Sequence, residues 1–259
     1  MAADITLSDL EPEQERLDMT HAMMVKGIGE KLFLCPIDTE KMRRVLDVIG
    51  NDLSPIQPPW VPPNVSFLVD DVESPWVNQT PFDFIFTRYL SACILDWPKL
   101  VGSIYSNLAP GGWAEFQDYD LEYYSEDGSL TPEHQTAVWD KTLLGAARQT
   151  GREPCPGPRL EGWVRDGGFV NVRHEVFRFP IGPWAKDRDL KMVGKFNIMQ
   201  TLNGLEGFSL RLFVGVLGWR QEEVMVLLAH VRNEMKSQVF HAHMNFHVVY
   251  GQKPGEKAE

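Results

Sequence analysis

The chain is poor in cysteine, in positive charge and in long apolar runs. Cys35, Cys93 and Cys155 are the only thiols in 259 residues. They are widely spaced and form no CxxC pair, which argues against a disulfide framework or a cysteine zinc site and suggests a reducing compartment. Lys and Arg number 25 against 36 Asp and Glu, a net charge of −11. With no Lys/Arg-rich run, direct nucleic-acid binding is disfavoured. Residues 208–219 are too short for a membrane span and are interrupted by Arg211, and residues 1–15 are acidic where a signal peptide is basic and then apolar. The expectation is a cytoplasmic or nuclear chain with no membrane contact, its Asn78-Gln79-Thr80 sequon unused. Repeats, low-complexity blocks and dividing linkers are also missing.

What is present is ordinary globular composition, 43% hydrophobic and 11% aromatic. One domain over 1–259 is expected, with an N-terminal helix at 13–31, a sheet core at 44–180, a helical lid at 186–236 and a last strand at 245–251. Leu17, Met19, Met23, Met24 and Ile28 recur at helical spacing, with Gly27 and Gly29 at the end. Strands are predicted over 44–53, 65–71, 82–87, 112–118 and 169–177, with proline-rich 55–63 as an extended loop. Helices are predicted from Trp97 to a stop at Pro110-Gly111-Gly112, from a Thr131 cap to Gln149, and over 159–165. A long helical stretch from Asp187 to Lys236 is predicted to break near Gly204, Gly207 and Gly218. Strands alternating with helices imply a doubly wound, mostly parallel α/β sheet covered on both faces.

In such sheets ligands bind beyond the carboxyl ends of the strands, where an acid can accept from ribose hydroxyls. Asp52 and the pair Asp70-Asp71 stand at two strand ends. Strand-end aspartates also cap the turn that follows, and position alone does not separate the two roles. His241, His243 and His247 would share one face of a continuous strand, but no nearby acid or cysteine completes a metal set, so no metal is expected. No GxSxG signals a hydrolase. Trp184, Phe196, Met199, Phe208, Phe213 and Trp219 are either core or the lining of an apolar pocket.

Six strings in the first half carry a resemblance: Val45-Leu46-Asp47, Asn51-Asp52-Leu53-Ser54-Pro55-Ile56-Gln57-Pro58, Asp70-Asp71-Val72-Glu73-Ser74-Pro75-Trp76, Phe82-Asp83-Phe84-Ile85, Leu108-Ala109-Pro110-Gly111-Gly112-Trp113 and Gln117-Asp118-Tyr119-Asp120. Gly182-Pro183-Trp184, Leu205-Glu206-Gly207-Phe208-Ser209, Leu217-Gly218-Trp219 and Val248-Val249-Tyr250-Gly251 extend it over nearly the whole chain. Together they resemble the LaeA-like group of fungal S-adenosylmethionine-dependent methyltransferases. The resemblance implies a Rossmann-like class I methyltransferase fold, S-adenosylmethionine as cofactor, and a role in fungal secondary metabolism. It implies donor contacts from Asp47, Asp52, Asp70, Asp71 and Val72, with Asp52 on the ribose, Asp71 and Val72 on the adenine edge, and Asp70 supporting that loop. An O or N atom of a small molecule is the implied acceptor. Arg88-Tyr89 and Asp118-Tyr119, following the third and fourth strands, stand where it would lie. No catalytic base is indicated.

One departure from the family bears on the donor. Members follow Val-Leu-Asp with a glycine-rich turn, a helix and a second strand ending in the ribose-binding acid. Here Asp47 and Asp52 are five positions apart, whereas a parallel crossover needs a dozen residues or more. One strand-helix unit and its glycine-rich turn are missing. A lost helix burying four large apolar side chains removes about 6–12 kcal/mol, comparable with a whole domain's stability. Three readings stay open: the written sequence omits an exon of a normal methyltransferase; the chain is a catalytically silent scaffold, a partner subunit, a homodimer or a non-methylating cyclase; or it still binds the donor through Asp52 and Asp71.

Overall fold

A computed structural model describes residues 7–37, 48–52, 62–76 and 80–255. Asp47, most of the proline-rich loop, and Asn78 and Gln79 of the sequon lie outside them. The first helix, α1 (Leu7–Gly27), closes where Glu30 N–H returns to the Val25 carbonyl at 2.8 Å and Gly29 takes φ +81°. Then follow β1 (Val48–Asp52), β2 (Val65–Val69), β3 (Phe82–Arg88), α2 (Trp97–Asn107) and β4 (Leu108–Tyr124). The rest is α3 (Gln135–Gln149), α4 (Gly157–Asp166), β5 (Val170–Ile181), α5 (Arg188–Gly215), α6 (Gln221–Ser237) and β6 (Ala242–Gln252).

The strands form two ladders where one sheet was expected. A four-stranded sheet runs β3-β4-β6-β5, and β1 pairs only with β2. The β3/β4 and β1/β2 pairs are parallel, and β6 is antiparallel to both neighbours. Thus β3, β4 and β5 share one direction and β6 alone is reversed. Among the described residues no ladder joins the β1–β2 pair to β3.

Helices cover both faces of the larger sheet. Period-two alternation sends Ala114 and Phe116 of β4 into a core with Trp97, Leu100 and Ile104 of α2 and Leu160 and Val164 of α4. Tyr119 of β4 and Phe246 and Val248 of β6 face the opposite core, built with Met23 and Met24 of α1, Trp139 of α3, Phe213 of α5 and Leu228 of α6. Among the described residues, no helix is long and apolar enough to cross a membrane.

Three predicted boundaries fail for tertiary reasons. The strand predicted over 112–118 runs from Leu108 to Tyr124, straight through Pro110-Gly111-Gly112. A register shift absorbs that irregularity, Phe82 pairing with Leu108 and Phe84 with Trp113 so that the extra residues lie in β4, and Gly111 at φ +80° donates to the Lys253 carbonyl at 3.0 Å. Thr131 does not cap α3; the helix starts at Gln135, and the Glu234 carboxylate of α6 accepts the Gln135 and Thr136 N–H groups at 2.9 and 2.8 Å. Nor does α5 break at Gly204 or Gly207. The Phe208 ring fills the space a Gly204 side chain would occupy, and burial of Leu205 and Phe213 outweighs a glycine cost of about 1 kcal/mol each.

Candidate functional site

The parallel register sets Asp52 opposite Val69, so the ends of β1 and β2 lie side by side, with Asp70 and Asp71 immediately beyond. Asp70 Oδ1 accepts the Asp71 N–H at 2.8 Å, and Asp71 Oδ1 accepts the Glu73 N–H at 2.9 Å. Both exposed carboxylates thus cap the local turn. Val72 packs into the α2–α4 core, and its carbonyl accepts the Trp76 indole N–H at 2.9 Å. Glu73 ties this loop to the start of α2 by accepting from the Leu95 and Asp96 N–H groups.

Arg88, Tyr89, Asp118 and Tyr119 come together where β3 ends beside β4, on two faces of the sheet. Arg88 donates through Nε to Gln117 at 2.8 Å and through Nη2 to the Leu32 carbonyl at 2.7 Å, with Nη1 2.9 Å from His21 Nδ1. Tyr89 and Ala92 both hold left-handed backbone, at φ +60° and +57°. Such conformations in non-glycine residues concentrate at functional sites. The Asp118 carboxylate, on the α2–α4 side, accepts the N–H groups of Leu90, Ser91 and Tyr119 at 2.7, 3.2 and 2.8 Å, and the Ser91 hydroxyl. Burial pushes its pKa up to about 6 against those donors.

On the opposite face, Tyr119 is buried edge-on to Tyr89 at 5.5 Å, and its hydroxyl has no partner among the described residues. The Tyr89 hydroxyl bonds the Arg16 guanidinium, which lies 5.2 Å over the Phe208 ring and 3.4 Å from Gln200 Oε1. Asn197, Gln200 and Thr201 of α5 are buried in the same row, and Tyr123 bonds Thr201. Glu115, fully buried, accepts the Leu34 and Cys35 N–H groups at 2.8 and 2.6 Å, fastening the segment after α1 to β4. Sequence reasoning missed Arg16, Glu115, Gln117 and Gln200. Glu115 and Gln117 alternate with Ala114 and Phe116 inside an apolar strand, and that pattern marks a polar face.

The other candidates are otherwise engaged. His241 pairs with Asp127, His243 stacks on Tyr124, and His247 bonds His174. Phe213 is core, Met199 is exposed, and Trp184 donates to the Ala242 carbonyl at 3.0 Å, so the six aromatic and methionine residues do not line one pocket. Cys35, Cys93 and Cys155 form no disulfide, and Cys93 is exposed.

Asp52 closes β1 and Asp70 and Asp71 follow β2 at the same edge, but no described glycine makes a turn after β1 or β2. Gly50 lies inside β1, with the Phe67 ring 2.4 Å from where a Cβ would stand. Gly29 and Gly168 belong to helix ends and Gly111 to β4. Among the described residues, then, no glycine-rich turn offers a backbone cradle for the methionine end of the donor.

A methyltransferase-domain profile matches residues 28–174. Methyltransferase pytC of Aspergillus terreus is 40% identical over 263 residues, spanning 93% of this chain and 81% of that protein. A probable methyltransferase, tdiE of Emericella nidulans, is 31% identical over 93% of this chain and 82% of its own length. The protein-methionine methyltransferase laeA of Emericella nidulans is 30% identical over 94% of this chain and 71% of its own length. The chain belongs to the methyltransferase-domain family, in the LaeA-like fungal group.

Proposed function

We propose that this protein is a single-domain S-adenosylmethionine-dependent methyltransferase of fungal secondary metabolism that acts on an O or N atom of an apolar small molecule. Its relatives' names, methyltransferase and protein-methionine methyltransferase, support the reaction class. The observation that carries the acceptor's place is the buried Tyr119 hydroxyl, unpartnered among the described residues. Buried polar groups nearly always have partners, and a ligand atom is one that a protein chain alone does not supply. In this reading Arg88, Tyr89 and Tyr119 face the acceptor beneath α1 and α5, and Asp118 holds the loop that presents Tyr89. Asp52, Asp70, Asp71 and Val72 take the nucleoside end of the donor, with Asp47 beside them. A sulfonium methyl is already activated, so placing the acceptor supplies most of the rate.

A second reading is favoured by the divided sheet and missing cradle: a silent relative that works as a scaffold, a partner subunit, a homodimer or a non-methylating cyclase. Isothermal titration with S-adenosylmethionine and with its demethylated product separates the two. Saturable heat and a thermal shift support the enzyme; absence of both overturns it for these 259 residues. Sequencing the transcript across Asp47–Asp52 complements this, because an additional in-frame segment encoding a glycine-rich turn restores the donor site.

A further inference from the structure

A cleft of about 280 Å³ opens beside the N-terminus of α2, against α4 and the turn after α3. Arg148, Arg152 and Arg159 line it with Trp97 and Trp163. Trp97 and Trp163 stack with ring centroids 5.7 Å apart at 9°, and the Arg159 guanidinium lies 4.8 Å over the Trp163 ring. Trp97 is only 3% exposed, yet its indole N–H donates to nothing among the described residues. A buried donor left unbonded costs about 1–3 kcal/mol, which an entering acceptor recovers.

The charge in this cleft is opposite to that of the chain. Three guanidinium groups meet two carboxylates, in a protein of net charge −11. Glu153 is shared between Arg148 at 3.5 Å and Arg159 at 3.3 Å, and Asp96 already caps α2 by accepting the Lys99 N–H. The N-terminus of α2 is already answered by Asp96 and Glu73, so it is the guanidinium groups and the unused indole donor that favour an oxyanion. Leu95, more than half exposed, and Pro98 supply an apolar flank.

We propose that this cleft binds a small aromatic oxyanion, its charged head taken by Trp97 Nε1 and the arginines and its ring by the Trp163–Leu95 side. The proposal does not depend on donor binding or methyl transfer. Carboxylate and phosphate heads share this chemistry, and the test distinguishes them.

The full chain is titrated calorimetrically, without donor, with benzoate, phenyl phosphate and neutral benzamide. At least one anion should bind saturably and about tenfold more tightly than benzamide, the loss expected for a buried charge-assisted contact. The tighter anion identifies the head group. Trp97→Phe keeps the ring and removes the N–H, and Arg152→Gln removes one charge; each should weaken the anion by about tenfold with the melting temperature nearly unchanged. If Trp97→Phe fails to fold, Arg152→Gln decides. No saturation below roughly 10 mM, benzamide binding as tightly as the anions, or unchanged affinity in the folded variants overturns the proposal.

Discussion

His174 Nε2 lies 2.8 Å from His247 Nδ1, and His174 Nδ1 lies 3.1 Å from Glu161 Oε2, so a carboxylate, two imidazoles and the protons between them link α4 to the sheet. With Glu161 ionised, the assignment is that His174 donates to it from Nδ1 and pairs through Nε2 with His247 Nδ1, which leaves His247 Nε2 outside the row of contacts. That nitrogen is buried without a partner among the described residues, where a Gly157 side chain would collide with the ring.

Burial, then His174, lower the pKa of His247 to about 4, with Asp120 opposing. The unfolded imidazole takes its proton near 6.5. His247 therefore contributes fully above pH 6.5 and loses that contribution as pH falls toward 4, about 2 kcal/mol after allowance for solvent screening. Asp118 and Asp140, raised by burial to about 6 and about 7, act in the opposite sense, so total stability hides the effect. The measurement is the urea stability of His247→Asn minus that of the native chain, from pH 7.5 to 4.5. The difference should move in the variant's favour by about 2 kcal/mol on acidification, and a flat difference refutes the assignment.

Asp118 holds the Leu90–Ser91 loop through four donors that all point at its carboxylate. Asp118→Asn puts an NH₂ against N–H groups, so a loss of about 2–4 kcal/mol is expected in denaturant unfolding at pH 7. A variant as stable as the native chain would mean that Asp118 is free to serve a ligand instead.

Two glycines of α5 test its packing with opposite signs. A Cβ on Gly194 would stand 2.0 Å from the Gly182 carbonyl oxygen, and Gly182 N–H donates to the Gly194 carbonyl at 3.0 Å. Gly194→Ala must push backbone apart, costing about 3 kcal/mol or more. Exposed Gly207 has no atom within 4 Å of its Cβ position. Gly207→Ala should therefore stabilise by about 0.5–1 kcal/mol. Thermal melts of the two variants should diverge from the native chain in opposite directions.

Much of this was legible from local pattern. The alternation in Phe82-Asp83-Phe84-Ile85 and in Phe246-His247-Val248-Val249 marks β3 and β6, whereas the division into two ladders was not read from the sequence. The same alternation places Asp118 and Tyr119 on opposite faces, which pairing them by sequence adjacency overlooks. Other features depend on distant partners. The Glu234 cap on α3 comes from α6, nearly a hundred residues away, and β4 passes Pro110 because β6 and Lys253 satisfy the strand around it. Gln200 and Arg16 meet only when α5 lies across α1.

The β1–β2 ladder puts the missing unit to a physical test. It has two strands, and Phe67, Leu68 and Val69 are each 40% or more exposed. An isolated two-stranded ladder is marginally stable in water. Without a third strand or a covering helix, its amides should exchange by local opening at a small fraction of the global free energy. Phe116 and Val249, fully interior on paired strands, should exchange only on global unfolding. Hydrogen exchange followed by mass spectrometry should show residues 65–69 labelled within seconds and residues 114–119 and 246–250 protected for hours. Equal protection in both ladders would mean that β1 and β2 are covered in solution by something other than the described residues. Repeating the measurement across protein concentration then identifies the cover: protection that rises with concentration is a second copy of the chain, and protection that does not is contributed from within it.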